Sequence, residues 1–291
     1  MKNLTVASFN NMFNRIIILP FDPLEWFRYG SRSKGLTFFT IPISTVLFPV
    51  FSKINPHEES ELLQTVFTLS VKYTAILLVP ATMAVMVLSK PMISTLYGEK
   101  WAYAPFFLTL YVIGYLFSIF GNLSLGSLLT GLGKTKIQLK LSLTTLIVGV
   151  PLSLLLIPTM GIFGLIITSI AAGIPSLCLG LHWIWKSYKA KVDINSSIKI
   201  LMASSFATVA TFIITNLMTC ADWVELMVGG LTFLIAYLIL APTIGAINQT
   251  DINNLKTMFS GLGAISKLLS IPLTTMEKLS KLYDKIPHFK F

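Results

Sequence analysis

Charge is what this chain has least of. Only 12% of its 291 residues are Asp, Glu, Lys or Arg, about half the share of a soluble domain, while 54% are hydrophobic and the mean hydropathy is +0.76. That shortage excludes an ordinary soluble fold and points to an all-α polytopic membrane helix bundle. Cysteine is nearly absent: Cys178 and Cys220 sit in apolar runs without metal or redox spacing, so they read as small core residues and no disulfide framework is expected. The histidines (His57, His182, His288) are scattered, which argues against a metal site. Paired carboxylates in the apolar region, a Ser-His-Asp set and a Gly-rich phosphate loop are all missing, so the chain reads as no enzyme and as needing no cofactor. The apolar patch at Ile16 to Leu19 is too short for a cleavable signal peptide. The net charge of +10 would suit nucleic acid in a soluble protein, but here the placement of the lysines matters more than their sum, and no nucleic-acid partner is expected.

What the chain does have is apolar length. From Val66 to Leu88 only Lys72 is charged, and at 1.5 Å per residue this stretch reaches roughly 35 Å, enough to cross a hydrocarbon core with some tilt. Pro80 falls in its middle. In a soluble helix that proline would cost about 3 kcal/mol; in a bundle, neighbouring helices and hydroxyl side chains re-satisfy the carbonyl it frees.

The same reading along the chain predicts about seven transmembrane helices: 35–52, 66–88, 104–129, 141–157, 161–185, 200–220 and 226–247. The third lies in a stretch, 103–133, without any charge. The fourth is expected to end at Pro158, leaving only PTMG before the fifth, a tight hairpin. Two small-residue stripes on the fifth, Ser169 with Gly173 and Ala172 with Ser176 and Gly180, read as close helix packing within the chain rather than dimerisation. Residues 1–34 are expected to form a partial helix and link, 35–250 the transmembrane bundle, and 251–291 an amphipathic tail. In the tail Leu255, Phe259, Leu262, Ile265 and Leu269 recur at helical spacing between lysines, so it lies on the membrane surface or docks on the end of the bundle. Fourteen cationic residues, among them Lys53, Lys134, Lys136, Lys140, Lys186, Lys189, Lys191, Lys199 and the lysines of the tail, fall on one side. Seven fall on the other, so the C-terminus is expected in the cytoplasm of a multi-pass cell-membrane protein.

Several motifs, in running order, resemble the polysaccharide transporter (Wzx-like) branch of the MOP flippases, which move lipid-linked oligosaccharides across the cytoplasmic membrane. TIPISTVLFPVFSK at 40–53 is similar to the family's eighth helix, and VPATMAVMVLSKPMISTLYGEKWAYA at 79–104 to its ninth helix and following turn. LLTGLGKTKIQ at 128–138 resembles the link before the eleventh helix, LLLIPTMGIFGLIITSI at 154–170 the next hairpin, and FNRIIIL at 13–19 the seventh helix. The resemblance implies two six-helix lobes, often with two further helices, working by alternating access. It covers only the second lobe and the extra pair. A first lobe, upstream or on a separate chain, is therefore an expected partner beside the bilayer and the lipid-linked oligosaccharide.

A carrier of that kind must draw an anionic phosphate or pyrophosphate headgroup and its sugars out of water. Cations at membrane depth become the candidate substrate-binding residues: Lys72, Arg15 and Arg32. For Lys72 the alternative is snorkelling to the near interface, and for Arg32 an interfacial position. Tyr73, Tyr97 and Trp101 are candidates for stacking on sugars, with an interfacial aromatic belt as the alternative. Two other functions stay open: a structural or assembly membrane protein that translocates nothing, and a multidrug or cation antiporter lobe, which would need a membrane-embedded Asp or Glu that the spans do not offer.

Overall fold

The computed structural model describes residues 47–260 and 274–277, apart from residues 49, 57, 99 and 219 and the side chains of 257–260. The partial helix expected over 1–34, most of the first span and the remainder of the tail lie outside these residues. Every regular element described is helical, with no strand among the described residues: α1 (Ser60–Val87), α2 (Ser89–Tyr97), α3 (Ala104–Val112) running on as a 3-10 segment (Ile113–Phe120), α4 (Asn122–Gly131), α5 (Thr135–Met160), α6 (Ile162–Tyr188), α7 (Ile194–Leu217), α8 (Asp222–Thr243) and α9 (Gln249–Ser260). Five of these helices are long and apolar enough to cross a membrane, or six if the bent pair Ala104–Phe120 and Asn122–Gly131 counts as one span. The remaining expected span, 35–52, enters the described residues only at its helical end, 47–52.

α1 is the centre of the packing. Its helix starts before the apolar run, at Ser60, where Glu61 in the first turn favours the positive helix end. Pro80 does not end it. A proline at 80 cannot donate to the carbonyl of residue 76, and the Tyr237 hydroxyl of α8 donates to the Ile76 carbonyl instead, at 3.1 Å. Small residues bring α7 and α8 close: Ala203, Ala207 and Ala241 are fully buried in one cluster with Ile76, Val79, Ile200, Phe233 and Tyr237. Hydroxyls on α7 bond back to carbonyls one turn earlier, as Ser204 does to Ile200 and Thr211 to Ala207, so they cross the apolar layer without orphaned donors.

The third span departs from the uninterrupted helix expected over 104–129. It narrows to a 3-10 helix at Ile113, breaks at Gly121 and restarts as α4, bent by 58°. Gly121 has φ +84, and a Cβ there would lie 2.7 Å from Val71 Cγ2 of α1, so both the backbone conformation and the close approach require glycine. Absence of charge reports that a segment is in the membrane; it says nothing about whether the helix is continuous.

α5 and α6 form the expected hairpin, turning at Gly161, although α5 runs through Pro158 to Met160. The stripe Ala172, Ser176, Gly180 packs within the chain: the Ser176 hydroxyl donates to the Leu141 carbonyl at 3.1 Å, and a Cβ on Gly180 would stand 2.4 Å from Leu125 Cδ2. The two cysteines are not core residues. Both are exposed, Cys178 on the outer side of α6 and Cys220 in the link before α8, because an apolar run in a membrane bundle can face lipid as readily as protein. At the other end of the chain, α9 docks on the bundle. Ile252 and Leu255 are buried in the α1/α7/α8 cluster with Met276, so this part of the tail packs against protein.

Candidate functional site

Lys72 lies in the first half of α1, where the start of α7 and the docked α9 close around it. Its Nζ stands 2.6 Å from Asp251 Oδ2, and the two side chains are only 12% and 6% exposed. Asp251 belongs to the first turn of α9, and the same oxygen accepts the Asn248 backbone N–H at 2.9 Å. One carboxylate thus caps α9 and neutralises the lysine. Next to it the Asn254 amide donates to the Tyr73 hydroxyl at 2.8 Å. Asp193, the N-cap of α7, accepts from the backbone N–H of Ser196 at 3.2 Å and from its hydroxyl. Its carboxyl is held below the usual carboxylate range first by the Ser196 hydroxyl, with the nearby Lys72 charge adding to the effect, while partial burial opposes it. The Thr68 hydroxyl donates to the Lys191 carbonyl at 3.0 Å and the Ser197 hydroxyl to the Ile119 carbonyl at 3.0 Å, so α1, the third span and α7 are joined in the same layer.

This arrangement holds a cation with a carboxylate at its side. In a site this enclosed a charge without a partner costs several kcal/mol, so Lys72 is either paired with Asp251 or paired with another anion. The structure brings Lys72 and Tyr73 together but keeps Tyr97 and Trp101 apart from them. Tyr97 ends α2 and Trp101 follows it, beyond the opposite end of α1, and residues 72 to 87 alone span about 22 Å of helix. Tyr97 is exposed and Trp101 half-buried. Arg15 and Arg32 lie outside the described residues.

Asp251, Asn254 and Asp193 are the members of this cluster that sequence reasoning missed. A signal was present. A lysine inside an apolar helix needs a counter-ion, and Asn248 three residues before Asp251 resembles a capping box, which predicts a helix start at 249 with an inward-held carboxylate.

A family model, lipid II flippase MurJ, matches residues 25–239. No curated protein and no solved structure matches the chain. The matched stretch contains Arg32, Lys72, Tyr73, Tyr97 and Trp101 and stops before Asp251. The motifs had pointed to the polysaccharide transporter branch; the match keeps the flippase superfamily and changes the branch, to one whose cargo is a peptidoglycan precursor. With well over half of its residues matched, this multi-pass membrane chain belongs to the lipid II flippase MurJ family, a family of transporters and not of enzymes.

Proposed function

We propose that the chain forms the C-terminal lobe of an alternating-access carrier for a lipid-linked saccharide precursor of the lipid II class, with Lys72 as a headgroup cation. The observation that carries this reading is the enclosed Lys72–Asp251 pair. A phosphate oxygen can replace the Asp251 carboxylate on the Lys72 ammonium without leaving a bare charge, and release of Asp251 loosens the cap of α9. Substrate binding is thereby coupled to movement of an element packed on three spans. Arg15 and Arg32 add to the cation set, and a first lobe, on the same or a separate chain, supplies the opposite wall of the cavity. Tyr73 reaches a sugar only once Asn254 lets go of its hydroxyl, whereas Tyr97 and Trp101 serve the opposite side. The end carrying Lys134, Lys136, Lys140, Lys186, Lys189 and Lys191 is cytoplasmic in this reading, which puts α9 and the C-terminus there too.

The test is Lys72→Ala in proteoliposomes containing lipid II. Translocation is expected to fall at least tenfold at unchanged protein abundance in the membrane; unchanged translocation rules out a binding role for Lys72.

A second reading is favoured by Asp251 capping α9: the pair serves only to pin α9 to α1. It predicts that replacing both partners by apolar residues preserves transport.

A further inference from the structure

A cavity of about 250 Å³ opens beside the break in the third span, between the 3-10 segment and the start of α4 on one side and the middle of α6 on the other. Its lining includes Tyr111, Tyr115, Ser118, Asn122, Ser169 and Gly173, and among the described residues that line it none is charged. We propose that this cavity is a binding site for one uncharged sugar ring of the lipid-linked cargo. The proposal rests on the carrier reading above and adds a second contact region to it, distinct from Lys72.

Four observations converge. A helix broken at membrane depth is tolerated where it is buried or lines a cavity, and discontinuous helices are where carriers build their sites. The room is open, not an artefact of loose packing: a Cβ on Gly173 would meet nothing within 4 Å, and one on Gly114 would meet only Ile170, at 3.8 Å. Gly173 of α6 therefore packs against nothing where a Cβ would stand, in contrast to Gly180 on the adjacent stripe. The third is an orphan donor. The Ser118 hydroxyl is buried, with the residue 2% exposed, and has no hydrogen-bond partner among the described residues. Fourth, the ten-residue α4 starts at the cavity, with Asn122 and Leu123 in the lining, and no side chain caps it.

The chemistry of the occupant follows from these donors and from what is missing. A phosphate would need a cation, and the lining has none. An acyl chain would leave the buried Ser118 hydroxyl facing hydrocarbon, at a cost of about 1–3 kcal/mol, and would set the uncapped start of α4 against it as well. A sugar ring satisfies both requirements: its hydroxyls and amide substituents bond Ser118, Asn122 and the α4 N–H groups, and its C–H face lies on Tyr111 and Tyr115, which pack edge to face at 6.2 Å. The volume lies just below the roughly 300–1,000 Å³ of drug-sized pockets, so it admits a single ring.

The test uses the whole chain in lipid nanodiscs with two probes, lipid II and the same polyprenyl pyrophosphate without its sugars, and reads their dissociation constants. The wild type is expected to bind lipid II more tightly than the sugar-free carrier. Gly173→Leu, which fills the cavity, should weaken lipid II about tenfold or more, and Ser118→Ala severalfold, with sugar-free carrier binding unchanged in both. Gly230→Leu is the control: its Cβ also meets nothing within 4 Å, on α8, and it should change neither affinity. Lys72→Ala should weaken both probes. Equal affinity of the wild type for both probes, or unchanged lipid II binding by Gly173→Leu, overturns the sugar site while leaving the headgroup reading standing. Equal weakening of both probes by Gly173→Leu assigns the cavity to the lipid chain and overturns it as well. Failure of the wild type to bind either probe overturns the carrier reading itself.

Discussion

α1 and α5 are both long, apolar helices of membrane-spanning length, each interrupted by proline, and they are used in opposite ways. Twelve residues of α1 are buried, including Ser70, Tyr73, Thr74 and Thr82; on α5 only Leu141 is. Outward-facing Leu146, Ile147, Leu154 and Leu155 make α5 an apolar rod packed along one side against α6. The difference teaches that hydropathy and burial are separate quantities in a membrane bundle. Lipid accepts apolar side chains as well as protein does, so an apolar run establishes crossing only. Polar groups are costly against lipid, and four of them on α1 bond groups outside the helix: the Thr68 hydroxyl, Lys72, the Tyr73 hydroxyl and the proline-freed Ile76 carbonyl, which helps make it the centre.

The sharpest way to break this contrast is at the Lys72–Asp251 pair. Asp251→Leu leaves the ammonium enclosed without a counter-ion and should cost about 3–5 kcal/mol. The double variant Lys72→Met/Asp251→Leu should recover most of that, because two apolar side chains of similar size suit the site. Thermal unfolding in detergent measures both, and hydrogen exchange in α9 should rise more in the single variant than in the double, since both lose the Asp251 cap and only the single also leaves a bare charge. A single variant as stable as the wild type would show that Lys72 reaches water without α9.

A smaller effect is expected at the kink. Tyr237→Phe removes the donor to the Ile76 carbonyl and should destabilise the chain by about 1–3 kcal/mol. In a Pro80→Ala background the backbone N–H of residue 80 can take over, so the same Tyr237→Phe change should cost much less. That double-mutant cycle isolates the interaction. An equal cost in both backgrounds would mean that Tyr237 acts through packing alone.

The parts of this fold that were legible in the sequence are those set by lipid. The spans at α1 and at α5 to α8 follow from apolar length, the α5–α6 hairpin from the short PTMG link, and the need for a foreign donor near residue 76 from Pro80 itself. What stayed hidden depends on partners far apart along the chain. Asp251 lies in a tail whose composition resembles a surface helix, and only its contact with Lys72, 179 residues away, makes it part of a site. The break at Gly121 was hidden for a different reason: a 3-10 narrowing and a left-handed glycine have no charge signature, and the glycine is required by Val71 of α1. Of the candidate site, Lys72 and Tyr73 were visible as polar residues in an apolar helix, while Tyr97 and Trp101 proved to belong to the opposite end.

The smallest expected effect tests the lipid-facing member of the comparison. Ile147 and Leu154 of α5 are 67% and 71% exposed, so Ile147→Ala and Leu154→Ala remove methyl groups from the outer face of the described bundle. Core truncations of this kind cost about 2–5 kcal/mol because they open a cavity; here no cavity forms, and the loss of stability in detergent should stay within about 0.5 kcal/mol. A control in the α1 cluster, Ile200→Ala, where the side chain is fully buried, should show the full core penalty in the same assay. If the two α5 variants instead lose as much as Ile200→Ala, the outer face of α5 is covered by protein, and the bundle has a partner along that side whose footprint an alanine scan from Leu143 to Leu155 would map.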